Sequence, residues 1–101
     1  MHAGLVSHRP YADQLEELRA GWAGPWSTTA DPRPPPLFSK QVVRSVPADL
    51  PAATWIVSGH TPLHQPYITT RRICCDTTGG QIGRQLTGVV LPGCRIITSH
   101  C

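Results

Sequence analysis

The hydrophobic pattern of the chain changes period twice. Residues 2–6 form a short apolar run that ends at Ser7-His8-Arg9-Pro10. From Tyr11 to Trp22 the period becomes helical, with Leu15, Leu18 and Trp22 at i, i+3 and i+7 on one face. Pro10 suits the first turn of such a helix, and Asp13, Glu16 and Glu17 lie near its positive end. Gly21 and Gly24-Pro25 then stop it. Residues 26–54 have no period and carry Pro32, Pro34-Pro35-Pro36, Pro47 and Pro51, as a connecting segment does. Within it, Gln41-Val42-Val43-Arg44 suits only a short strand or a helical turn.

Residues 55–101 read as β structure. Thr54-Trp55-Ile56-Val57 is aromatic and β-branched and is ended by Ser58-Gly59, as a buried strand is. Arg72-Ile73-Cys74-Cys75 is a second candidate strand, residues 85–91 a third, and Arg95-Ile96-Ile97-Thr98 a fourth. Pro92-Gly93 joins the last two as a hairpin. The fold class expected is therefore α+β, mostly strands with one N-terminal helix.

Composition limits the chain more than it directs it. One domain at most fits in 101 residues, and eleven prolines with nine glycines leave room for few long elements. The net charge of +3 is modest, and Arg71-Arg72 is the only adjacent basic pair, which reads as a solvated face rather than a nucleic-acid stripe. No apolar run approaches the roughly 18 residues of a membrane span. The first residues have neither the basic region nor the apolar stretch of a signal peptide. On that expectation Cys74, Cys75, Cys94 and Cys101 are reduced thiols in the cytoplasm, and their spacing matches no structural zinc site.

The chemistry centres on His60. It directly follows a candidate buried strand and a glycine, at the kind of strand end where α/β sheets place ligands. Gly59 allows a sharp turn and Pro62 ends the strand, so the imidazole is presented rather than paired into a ladder. Ser58 is no nucleophile elbow, because the G-x-S-x-G frame is absent.

The residues around His60 carry a longer pattern. Trp55-Ile56-Val57-Ser58-Gly59-His60-Thr61-Pro62 is followed by Pro66, then Ile73 to Cys75, Asp76-Thr77, Gly79-Gly80, Gly83 and Leu86-Thr87-Gly88-Val89-Val90-Leu91. In order and approximate spacing this resembles the last motif of the calcineurin-like metallophosphoesterases, the bacterial serine/threonine phosphatases and diadenosine-tetraphosphatase-like enzymes among them. His2-Ala3-Gly4-Leu5 resembles the motif that precedes it, with Pro10 and Gln14 matching the proline and the Gln-containing helix that follow.

The resemblance implies a β-sandwich with outer helices, of which this chain would supply one helix and four or five strands, much of one sheet. It implies phosphoester hydrolysis, on a phosphoprotein or a nucleotide, by two metals bridged by an aspartate. His2 and His60 would both bind one of those metals, most readily manganese, with iron or zinc as alternatives. His64 and Asp76 become candidates for facing the substrate or supporting the ligands, Asp76 matching a residue that closes a strand in the family.

Three earlier motifs of that family, Asp-x-His, Gly-Asp-x-x-Asp and Gly-Asn-His-Asp/Glu, do not occur in the 101 residues. The chain begins where they would have passed, so it is expected to be the later part of a family member and inactive by itself. Two departures stand out: a threonine is inserted in Asp76-Thr77-Thr78-Gly79, and Ala23-Gly24 replaces the family's Trp-x-Arg pattern after Trp22. The alternative expectation is a non-catalytic fragment or small binding module, since the acidic metal ligands are missing.

Overall fold

The computed structural model describes residues 2–20 and 44–99. One helix, α1 (Tyr11–Ala20), precedes five short strands: β1 (Ile56–Ser58), β2 (Tyr67–Ile68), β3 (Arg72–Cys74), β4 (Thr87–Val90) and β5 (Arg95–Thr98). The strands make two sheets rather than the larger part of one: a three-stranded sheet in the order β1-β3-β2 and a separate β4-β5 hairpin. The small α+β arrangement expected from the pattern is present. The proline-rich stretch 26–43, the end of the helix expected at Trp22, and Cys101 lie outside the described residues.

Strand β3 occupies the centre. It runs parallel to β1, with Ile56, Val57 and Ser58 opposite Arg72, Ile73 and Cys74. It runs antiparallel to β2, with Ile68 opposite Ile73. Thr69 makes the short return from β2 to β3, its amide donating to the Arg72 carbonyl at 2.8 Å. The loop after β1 therefore crosses over so that β3 inserts between its two predecessors, and that loop carries His60.

Residues 2–6 join no ladder, yet Ala3, Gly4 and Leu5 are buried. Leu5, Leu50 and Ile56 form the apolar core, with Tyr11, Leu18 and Val46 packed against them. Each such side chain supplies roughly 1.5–3 kcal/mol on burial, and polar contacts join the segments as well.

Helix α1 supplies some of those contacts, and its buried face is not the one its leucines predict. Gln14 and Glu17 are the buried residues. Leu15 and Leu18 are only partly covered. The reason lies in the unpaired backbone beside the helix. The Val6 amide donates to Gln14 Oε1 at 2.8 Å, and Gln14 Nε2 donates to the Val6 and Arg9 carbonyls at 3.0 and 2.9 Å. Gln14 thus acts as a substitute strand partner for residues that have none. Glu17 pairs with Arg9, whose guanidinium pKa is raised first by that hydrogen bond. Asp49 accepts from the Tyr11 amide at 3.0 and 3.1 Å, satisfying one of the free donors at the helix start from residue 49 of the connecting segment.

The hairpin attaches through hydroxyls. Thr77, just past β3, donates to the Gln85 carbonyl and shares a hydrogen bond with Thr87 of β4, each at 2.7 Å. Among the described residues no helix is long and apolar enough to cross a membrane.

Candidate metal-ligand site

His2 and His60 arrive at one place from the N-terminal segment and from the loop after β1. The Gly59 amide donates to the His2 carbonyl at 3.0 Å, which lays the N-terminal segment along the C-terminal end of β1. The two imidazoles then meet edge to face, with ring centroids 4.3 Å apart and planes at 62°. His2 is exposed and His60 half-buried, so the pair is open to solvent on the His2 side.

His60 is held in an uncommon backbone state. Its φ is +70°, and the Thr61 amide donates to the Gly59 carbonyl at 2.9 Å. A hydrogen bond across two residues with positive φ between them is the γ-turn of the rarer, strained hand. For a residue with a Cβ, left-handed backbone costs roughly 1–2 kcal/mol. Strain of this kind persists only where surrounding structure enforces it, and it gathers at functional positions.

The enforcing structure is on β3 and just after it. The buried Cys74 thiol lies 3.8 Å from the Gly59 carbonyl and 3.9 Å from that of Thr61, a weak donor beneath the turn. The Cys75 amide donates to the Ser58 carbonyl at 3.1 Å, and the Leu63 amide to the Asp76 carbonyl at 2.8 Å. The loop is therefore pinned on both sides of His60. Burial, followed by the neighbouring Cys74, pushes the Cys75 thiol pKa up. Cys74, Cys75 and Cys94 are free thiols.

Asp76 is a supporting residue. Its Oδ1 accepts from the Gly79 amide at 2.8 Å, closing the turn from Asp76 to Gly79. Gly79 has φ +56°, and a Cβ there would meet Pro62 Cγ at 2.9 Å. The Asp76 turn and the His60 loop are thus packed against each other through Pro62. His64 is exposed and lines two shallow depressions, one with Thr77, Arg84 and Gln85, the other with Arg44 and Tyr67 among its walls.

Among the described residues no three His, Cys, Asp or Glu side chains converge as a metal-binding group. The donor set that meets there among the described residues is two imidazoles, which does not make up a complete dinuclear centre.

One residue near the site runs against its sequence reading. Arg72 does not belong to a solvated face; it is fully buried. Its guanidinium donates to the carbonyls of Ala3, Ile56 and Ile73 and to Ser58 Oγ. Arg71 is half-buried and donates to the Leu50 and Pro51 carbonyls. The only signal for this in the sequence is a cation opening an apolar strand, which periodicity cannot tell from a strand-end charge.

Compared with protein-family models and with curated proteins, the chain matches none.

Proposed function

We propose that this chain carries the two-histidine part of a metal centre of the calcineurin-like metallophosphoesterase kind, acting on a phosphoester of a protein or nucleotide. His2 and His60 are the ligands of one divalent ion, manganese most readily, with iron or zinc as substitutes. The observation that carries this reading is the edge-to-face contact of the two rings at 4.3 Å, made by the two histidines whose motifs point to the same metal. The positive φ of His60 supports it, because backbone strain gathers at functional positions.

When bound, such an ion polarises a phosphoryl oxygen. The chain's own residues position that ion: His2 and His60 offer neutral ring nitrogens, Asp76 and Gly79 brace the His60 loop, and His64 with Arg84 lines a depression suited to an anionic group. A reducing, cytoplasmic setting suits its free thiols.

A second reading, a non-catalytic binding module, is favoured because no three potential ligand side chains converge among the described residues. Two measurements separate them. Manganese held by the chain should shorten the phosphorus relaxation of inorganic phosphate beyond the effect of manganese alone, and His60→Ala should abolish the gain. Metal binding without any effect on phosphate would favour the module. On p-nitrophenyl phosphate with manganese, the isolated chain is expected to give no turnover; chelator-sensitive turnover would refute the second reading.

A further inference from the structure

A central strand usually carries apolar side chains on both faces, because both are covered. Arg72 opens β3, and its side chain is wholly removed from solvent. Burial lowers its pKa, against the opposing influence of Cys74, Tyr67 and Cys75; a guanidinium starts so high that it keeps its proton. Burying a cation is costly unless its donors are met, so the position of those acceptors indicates what the charge accomplishes.

The acceptors surround the joint between the two histidine-bearing segments. Nη2 donates to the Ala3 carbonyl at 3.1 Å and to Ser58 Oγ at 2.6 Å, while Nη1 donates to the Ile56 carbonyl at 3.2 Å. Ser58 Oγ in turn donates to the same Ala3 carbonyl at 2.7 Å. Ala3 therefore receives two donors, and it adjoins His2, whose carbonyl takes the Gly59 amide. Because residues 2–6 join no ladder, these bonds replace the strand pairing that would otherwise fix them. An aliphatic residue at position 72 would leave the buried Ala3 carbonyl with Ser58 Oγ as its one remaining side-chain donor of the two described here. A lysine has a compact ammonium in place of the planar fork that reaches acceptors on two strands and a third segment at once.

We propose that Arg72 is a positioning residue for the His2–His60 pair: with Ser58 as relay, its guanidinium fastens Ala3 to β1 and β3 and so holds the His2 ring against His60. The proposal rests on reading that pair as a shared ligand set, but its geometric part is measurable without metal.

The test compares the full chain with Arg72→Met, Arg72→Lys and Ser58→Ala. Ring-to-ring nuclear Overhauser contacts between His2 and His60 are read without metal, and affinity for zinc is read by titration. The parent is expected to show the ring contact. Arg72→Met should lose it and bind zinc roughly 10–100-fold more weakly, the usual effect of removing a ligand's support. Arg72→Lys and Ser58→Ala should fall between. Contacts between Val57 and Ile73 report whether β1 and β3 remain paired, and if Arg72→Met unfolds, the two milder variants decide. Unchanged ring contact and zinc affinity in paired Ser58→Ala and Arg72→Lys overturn the positioning role. A parent that binds no zinc, yet whose ring contact is lost in the variants, overturns the metal reading and leaves Arg72's role standing.

Discussion

The Gly59 amide donates to the His2 carbonyl at 3.0 Å, and this bond joins the first described residue to the glycine that introduces His60. It is the reason two histidines 58 positions apart in sequence place their rings 4.3 Å from each other. The site thus depends on backbone placement by β1 and its neighbours, and substitutions in that backbone are where it is most readily tested.

At position 60 the ordinary preference for alanine over glycine should reverse. His60→Ala and His60→Gly both remove the ring contact, but only glycine takes φ near +70° without strain. After allowing for glycine's greater freedom when unfolded, His60→Gly should be the more stable by roughly 0.5–1 kcal/mol. Urea midpoints for the two variants check this; a more stable alanine variant would remove the case for strain at His60.

Gly79→Ala tests the bracing of the same loop from the other side. The new Cβ would have to form in left-handed backbone and displace Pro62, whose Cγ lies 2.9 Å from its position. A loss of roughly 1–3 kcal/mol is expected, with shifted resonances for Thr61 and Leu63. Gly80→Ala shares the positive φ but meets nothing within 4 Å. It should therefore disturb that loop less.

The two ion pairs of α1 should prove unequal. Glu16 and Arg19 are both largely exposed, whereas Glu17 is almost wholly covered where it meets Arg9. Glu16→Ala should cost less than about 0.5 kcal/mol, as surface pairs do. Glu17→Ala should cost about 1–3 kcal/mol, because it strips a partner from a half-covered guanidinium. Thermal denaturation of the two variants gives the comparison directly.

Alkaline pH should weaken the fold through Cys75. Its thiol is pushed above the ordinary 9.0 by burial and then by Cys74. Between the unfolded and folded values the unfolded chain binds fewer protons, so stability falls as pH rises above about 9. Below that pH the contribution is fully present. Stability curves from pH 7 to 10 should slope downward in the parent and less steeply in Cys75→Ser; equal slopes would assign the loss to other groups.

The parts legible in the sequence are those that local pattern controls. Apolar β-branched runs located β1, β3, β4 and β5, and Pro92-Gly93 marked the hairpin turn between the last two. β2 escaped notice because Tyr67-Ile68 is only two residues long and follows Pro66. The helix was legible, but its inward face was not. Gln14 and Glu17 turn inward to serve backbone and an arginine on a segment without strand partners, a demand that helical periodicity does not encode. The burial of Arg72 is hidden from local pattern for the same reason: it depends on Ala3, 69 positions away. His60 was legible as a residue at a strand end; its left-handed turn was not, since histidine, though enriched at positive φ, takes it only in a small minority of cases.

The central claim, that His2 and His60 share one divalent ion, is tested most directly by following the histidine ring nitrogens of the chain by NMR while zinc is added. The His2 and His60 nitrogens are expected to shift together and saturate together, while those of His8, His64 and His100 stay in place. Shifts confined to the other three histidines, or equal and unsaturated shifts of all five, would overturn the shared site.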